Sequence, residues 1–386
     1  MLTSGLTEHE HKPVMDMTPE KKLLTTLLTS ANITINGNGP NDIQVNNEKF
    51  YSRVIREGSL GLGESYMDGW WDCEHLDGFF DAILRTQLYN HLSEYSFLLL
   101  KLFLSRLINF QTKRRSLEVG KKHYDLSNLL FEKMLDSRMN YTCGYWKEAK
   151  TLEEAQLAKL ELSCQKLLLK PGMRLLDIGC GWGGMARYAA EKYGVHVVGI
   201  TISQQQYEYA KKVCADLPIE IRFQDYRDLN EPFDRIVSLG MFEHVGHKNY
   251  STFMKKVRHC LTDDGIFLLH SIGDNITELP NKWITKYIFP HGMLPSIKLL
   301  GKAIENVFVL EDLHNFGAYY DKTLMAWHQR FMDHWEEIKS DYDERFKRMW
   351  NYYLLSCAGS FRARGIQLWQ MVLSKEGLRG GYQAPR

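Results

Sequence analysis

The feature that most constrains this chain is the run Leu175-Leu176-Asp177-Ile178-Gly179-Cys180-Gly181-Trp182-Gly183-Gly184, a short apolar segment that breaks into alternating glycines. Arg174–Ile178 reads as a strand, and 183–193 reads as a helix. Glycines between them let the main chain turn sharply and let a ligand approach without meeting a Cβ. The first N–H groups of the helix are free to receive a carboxylate. From about Thr151 onward the same alternation repeats. Strands are expected at Val195–Gly199, Glu220–Gln224, Phe233–Gly240 and Gly265–His270, with helices at Ser203–Leu217 and 247–261. Thr151-Leu152-Glu153-Glu154 has the form of a capping box, opening a helix that runs to about Leu169 and stops at Pro171-Gly172. Trp283 to Leu300 interrupts the rhythm as an insertion; long helices follow over 321–360, then a last strand at Ile366–Leu373. Short β-rich runs separated by helices of this kind imply a doubly wound α/β fold, a parallel sheet covered on both faces. Its ligand belongs beyond the carboxyl ends of the strands.

The spacing of the turn bears on which ligand. A dinucleotide fingerprint is G-x-G-x-x-G; here the order is D-x-G-x-G-x-G, with Asp177 just before Gly179, Gly181 and Gly183. An acid there repels a pyrophosphate and suits the ammonium of a methionine moiety, so the turn points to S-adenosylmethionine. The acid that usually binds a ribose at the end of the second strand is missing. Thr201 and Gln206 are polar substitutes for it. Asp225 follows the third strand and can accept from an adenine amino group, with Tyr226 flanking the ring; the alternative for Asp225 is a capping or turn residue.

Bulk properties narrow the setting. The chain has 386 residues, 44% hydrophobic and 25% charged, with a formal net charge of +1. That suits two or more domains with ordinary cores and argues against a protein whose main task is coating nucleic acid. The seven cysteines are scattered without a CxxC pair, which fits free thiols in a reducing compartment and no metal site. Met1 to Met17 carries no apolar h-region, so a cytoplasmic location is expected. Residues 1–115 read as a mainly helical N-terminal domain and 116–386 as the catalytic domain. Gly58 to Trp71, rich in glycine and aromatics, reads as core of the first.

Two further residues fall where chemistry would occur. Glu243 lies just past the strand Phe233–Gly240, and His270 ends the strand Gly265–His270. If those strands are neighbours, both side chains open beside the cofactor. Alone, a turn glutamate is more often solvated and a strand-end histidine merely packed.

Several segments in order carry a resemblance: the glycine turn; Gly120-Lys121-Lys122-His123-Tyr124-Asp125-Leu126; Tyr141-Thr142-Cys143-Gly144-Tyr145-Trp146; Phe242-Glu243-His244-Val245-Gly246; and Phe316-Gly317-Ala318-Tyr319-Tyr320-Asp321. Together they resemble the cyclopropane-fatty-acyl-phospholipid synthase family, and Gly61 to Trp71 resembles the N-terminal region of its phospholipid-acting bacterial members. The resemblance implies a Rossmann-like class I methyltransferase domain, with Tyr141 among its cofactor-binding residues. It also implies transfer of a one-carbon unit to a cis double bond of a phospholipid acyl chain, and a bound bicarbonate as base, held by Cys143, Glu243, His270, Ile272 and Tyr320. Ile272 can offer only main-chain groups, and Cys143 can do the same. A covalent role for Cys143 is the poorer reading, since methyl transfer needs no enzyme-bound intermediate. A homodimer is likewise implied. The small-metabolite methyltransferase and the non-catalytic cofactor sensor stay open as alternatives; nucleic-acid base methylation is disfavoured, since the chain has neither Pro-Cys nor Pro-Pro-Tyr.

A lipid substrate calls for a membrane-facing surface. Phe97 to Phe110 holds ten apolar residues in fourteen, too few to span a bilayer, and leads into Lys113-Arg114-Arg115. It reads equally as a peripheral membrane contact and as a helix packed within the N-terminal domain.

Overall fold

The computed structural model describes residues 17–86, 127–290 and 292–386. The basic, apolar run at 97–115 and the 120–126 motif lie outside the described residues. A two-stranded antiparallel pair, β1 (Ile43–Val45) with β2 (Trp71–Cys73), sits among the helices Pro19–Ser30, Lys49–Glu57, Ser59–Met67 and Leu76–Arg85. The larger sheet has seven strands: β3 (Arg174–Ile178), β4 (His196–Thr201), β5 (Ile219–Phe223), β6 (Phe233–Leu239), β7 (Leu261–Asp274), β8 (Val309–Asn315) and β9 (Ile366–Ser374). Their spatial order is β5-β4-β3-β6-β7-β9-β8.

Strands β3 to β7 run parallel, as expected, but β9 is antiparallel to β7 and β8 antiparallel to β9. The sheet is therefore mixed at one end, and β8 is a strand the sequence did not announce. Its residues Val-Leu-Glu-Asp-Leu-His-Asn lie at the sheet edge, and none of them is fully buried, so they lack the apolar signature of the inner strands. β7 also extends four residues to each side of the stretch expected of it.

Alternation along the strands builds two cores. Leu175, Val197, Val237, Leu268 and Val372 face the helices Leu152–Lys166 and Gly184–Tyr193. Leu176, Val198, Ile236, Phe267 and Met371 face the helices Tyr250–Cys260 and Ile297–Ile304. Thr151 closes the expected capping box, its hydroxyl accepting from the Glu154 N–H while Glu154 accepts from the Thr151 N–H.

A third cluster joins the N-terminal helices to the helices Ala318–Asp333 and Glu344–Arg362, with Trp71, Phe79, Trp283, Trp327 and Trp350 among its fully buried members. Charges reinforce that junction. Glu64 accepts from Lys286 Nζ at 2.5 Å and Tyr287 Oη at 2.9 Å, and also pairs with Arg53. Arg53 meets Asp68, which receives Arg345 Nε at 3.0 Å. Gly63 has to be glycine, because a Cβ there would lie 2.3 Å from Cδ1 of the buried Trp283. Gly63→Ala should therefore destabilise the protein by about 1–3 kcal/mol, read as a lower denaturant midpoint at unchanged m-value.

Candidate functional site

The loop after β3 holds Gly179, Gly181 and Gly183 at φ of 83°, 56° and 86°, a left-handed path that favours glycine at each step. A Cβ on Gly181 would meet nothing within 4 Å, so the main chain there borders open space. That space is a pocket lined by Tyr141, Asp177, Gly179, Gly181, Thr201, Gln206, Asp225 and Tyr226. Gly183 does not line it. It caps the helix Gly184–Tyr193, with the Cys214 Sγ 2.9 Å from where its Cβ would be.

Thr201 Oγ1 bonds Gln206 Oε1 at 3.0 Å and receives the Ser203 N–H at 3.2 Å, so the strand-end polar pair is already ordered. Asp225 does both things considered for it: it caps the turn Tyr226–Asp228 by accepting from Arg227 N at 2.9 Å, and it faces the pocket. Asp177 is buried, and its Oδ2 has no hydrogen-bond partner among the described residues. Burial pushes its carboxyl up to about 7 while the nearby Lys159 pulls it down. A buried carboxyl with a free oxygen at a glycine cradle fits the ammonium of a methionine moiety, which would hold it ionised.

Beyond the pocket the sheet sets Glu243 against Ile272, two residues along β7 from His270. His270 sits opposite Leu239 across β6 and β7, and its carbonyl accepts the Gly240 N–H at 2.9 Å. Glu243 lies in the short turn Phe242–His244, and its Oε1 accepts the Ile272 N–H at 2.7 Å. Ile272 therefore spends its N–H on Glu243, and its carbonyl accepts from Ser271 Oγ at 2.9 Å. Glu243 Oε2 and His270 Nε2 are buried without a partner among the described residues. Burial pushes the Glu243 carboxyl up to about 7, holds His270 well below the usual imidazole range, and holds the Tyr320 hydroxyl well above its own. Cys143, Glu243 and Tyr141 all lie near enough to Tyr320 to act on it electrostatically. Burial also raises the Cys143 thiol, which leaves it a poor nucleophile.

Several residues that shape this site went unread in the sequence. Gln156, Lys159, Ser163 and Lys166 fall on one face of the helix Leu152–Lys166, a polar stripe of the kind usually assigned to solvent, yet all four are fully buried. Gln156 Nε2 donates to the Thr142 carbonyl at 2.7 Å; Lys159 Nζ donates to Asn140 Oδ1 at 3.1 Å and Thr142 Oγ1 at 3.0 Å. From the other side Thr323 Oγ1 receives Gly144 N at 3.1 Å and Trp146 Nε1 at 2.9 Å. The strip 140–146, carrying Tyr141 and Cys143, is thus pinned on both flanks. Tyr141 packs on Phe131 and Trp327, and its hydroxyl meets that of Tyr353 at 2.9 Å.

A parallel sheet reversed at one end, a glycine turn after its first strand and an acid before that turn define the class I S-adenosylmethionine-dependent methyltransferases, and this enzyme is one of them. A family profile for mycolic acid cyclopropane synthetase matches residues 111–371. The chain is 56% identical over 366 residues to cyclopropane-fatty-acyl-phospholipid synthase of Escherichia coli K12, covering 95% of this chain and 96% of that one. Among solved structures it is similar to the cyclopropane synthase MmaA2 of Mycobacterium tuberculosis, 35% identical with TM-score 0.65 over 67% of this chain and 98% of the other. The mycolic acid cyclopropane synthase CmaA1 complexed with SAH and CTAB gives TM-score 0.64 at 35% identity, over 67% of this chain and 98% of that one. The chain belongs to the cyclopropane synthase family that joins the fatty-acyl-phospholipid and mycolic acid enzymes.

The raised Glu243 carboxyl carries a signed consequence. Its ordinary value is 4.5 and its folded value about 7, so the folded state holds the proton more tightly. Below 4.5 both states keep the proton; between 4.5 and about 7 only the folded state keeps it, so stability falls across that range and levels off above about 7. Glu243→Gln should therefore stabilise the ligand-free protein at about pH 8, by up to about 3 kcal/mol, with the gain shrinking toward acid. Denaturant unfolding at several pH values checks this; a variant less stable than wild type at the alkaline end would contradict it.

Proposed function

We propose that this enzyme adds a methylene carbon from S-adenosylmethionine across the cis double bond of an unsaturated phospholipid acyl chain, giving a cyclopropane fatty acyl phospholipid and S-adenosylhomocysteine. The observation that carries the reading is the pair of buried atoms Glu243 Oε2 and His270 Nε2, both without a partner among the described residues, Glu243 in the turn after β6 and His270 within the neighbouring β7. The names of the Escherichia coli and mycobacterial relatives support it, as does the SAH in one of them. Bound S-adenosylmethionine would supply an electrophilic methyl whose transfer to the olefin leaves one proton to be removed as the ring closes.

This chain's residues divide that work. Asp177 takes the ammonium of the donor, and Thr201, Gln206, Asp225 and Tyr226 take the nucleoside end. The aromatic wall of Tyr141, Tyr320, Trp327 and Tyr353 keeps water from the reacting centre. Glu243, titrating near neutrality, is suited to accept a proton and release it. Neutral His270 and neutral Tyr320 can donate hydrogen bonds to a small anion beside it, and bicarbonate is the anion this reading places there as base. Ile272 then serves by fixing Glu243 through its N–H, and Cys143 by walling the site. Among the described residues no helix is long and apolar enough to cross a membrane, and the reading makes the enzyme a peripheral, homodimeric visitor to the cytoplasmic membrane face.

Incubation with methyl-labelled S-adenosylmethionine and vesicles of cis-unsaturated phospholipid should yield acyl chains one CH₂ heavier and lacking the olefin. Label found only in a soluble acceptor would overturn the assignment. Glu243→Gln should lower kcat by about 100-fold or more while cofactor affinity holds, because an amide cannot pass a proton on. In wild type, kcat should rise as pH passes through about 7, the range in which Glu243 ionises.

A further inference from the structure

We infer that Gln370 is a positioning residue that fixes the proton of His270 on Nε2, and that it does so through a buried chain of one-way hydrogen bonds starting at Ser163. Gln370 lies on β9 directly opposite His270 on β7. Ser163, Gln370 and His270 are all buried, and no water is needed to complete the chain between them.

The direction of each bond follows from counting hydrogens. Ser163 Oγ donates its single hydrogen to the Lys159 carbonyl, one helical turn back, at 2.7 Å. With that hydrogen spent, Ser163 accepts from the Gln370 amide nitrogen 3.2 Å away, and the amide oxygen is left buried without a partner among the described residues. The same nitrogen lies 3.2 Å from His270 Nδ1, and its second hydrogen is directed there. Nδ1 must accordingly present a lone pair. His270 is held neutral by burial, with the buried lysines Lys159 and Lys166 adding to the effect. The ring's one proton therefore sits on Nε2, the nitrogen left without a partner among the described residues.

A neutral imidazole turned this way is a fixed donor to whatever anion or polar group occupies the site; with the proton on Nδ1 it would turn a lone pair toward that group and repel an anion. Gln370 touches no reacting atom in this arrangement. Its contribution is orientation, and the antiparallel return of β9 is what supplies it.

The inference rests on the site reading above only for its effect on turnover; the tautomer itself is testable without ligand. Protein with ¹⁵N-labelled histidine, its His270 signal assigned by loss in His270→Asn, should show the Nε2–H pattern in two-bond ¹H–¹⁵N correlation. An Nδ1–H pattern would overturn the inference outright, whatever the enzyme's substrate. Gln370→Glu places an acceptor at Nδ1 and should move the proton there or make the ring imidazolium, lowering kcat by about 10- to 100-fold with KM for S-adenosylmethionine held within about twofold. Gln370→Met, which keeps the bulk and removes the donor, should give a mixed tautomer signal and an intermediate kcat. Wild-type kcat in both folded variants would overturn the positioning role. If neither variant folds, the wild-type spectrum still decides the tautomer, and failure of the vesicle assay with an Nε2–H spectrum would sink the proposed reaction and spare this inference.

Discussion

The polar face of the helix Leu152–Lys166 is buried, and the geometry of the site hangs on how that burial is satisfied. An unpartnered ammonium or amide in the interior costs several kcal/mol, so the donors on this face are held by hydrogen bonds, although Gln156 Oε1 has no partner among the described residues. The partners those donors find are site residues. Gln156 and Lys159 hold the strip bearing Tyr141 and Cys143, Ser163 holds Gln370 and through it His270, and Lys166 lies 3.1 Å from His314 Nδ1 and 3.6 Å from Asp312. Burial lowers Lys159 and Lys166 to about 8 each, so both sit close to losing their charge near neutrality. A helix that reads as ordinary scaffold is in effect the rear wall of the active centre.

Two kinds of unsatisfied atom among the described residues then distinguish the glycine-lined pocket from the region around Glu243. Asp177 offers a lone carboxyl oxygen, which calls for a cation. Glu243 and His270 each offer one buried atom without a partner among the described residues, an oxygen and a nitrogen, and Glu243 lies close enough to Tyr320 to act on it electrostatically. Gly240, at φ 72°, lets β6 turn between these regions; a Cβ there would come 2.7 Å from Thr142 Cγ2. Under the proposed reaction, the charge that takes the donor and the groups that take the proton would thus stand on opposite sides of this turn.

Much of the fold was legible because strand and helix periodicities differ so clearly from Thr151 onward, and because the capping box at Thr151 has a local mechanism. The reversed end of the sheet was not. β8 is an edge strand with few buried apolar side chains, and nothing local in Ile366–Ser374 tells whether that strand enters parallel or antiparallel. Likewise the stripe Gln156, Lys159, Ser163 and Lys166 has the spacing of a solvated face, and only its neighbours show otherwise. Ile272 illustrates the same limit at one residue: its placement could be anticipated, but not that its N–H would already be taken by Glu243.

By itself the sequence determined the local chemistry: a strand-to-helix turn that favours glycines, an acid set before it, and a glutamate in the turn after β6. It ended the histidine's strand at His270, whereas β7 continues to Asp274 because it pairs with β9 that far. Backbone conformation and periodicity are short-range properties, so they can be read along the chain. Tertiary structure alone decided which buried polar groups meet. It set Gln370 opposite His270, turned a lysine-bearing helix face inward, and left Asp177, Glu243 and His270 each with one atom unsatisfied among the described residues. Those outcomes depend on distant segments excluding water together, and the energy of an unpaired polar atom exists only once the water has gone.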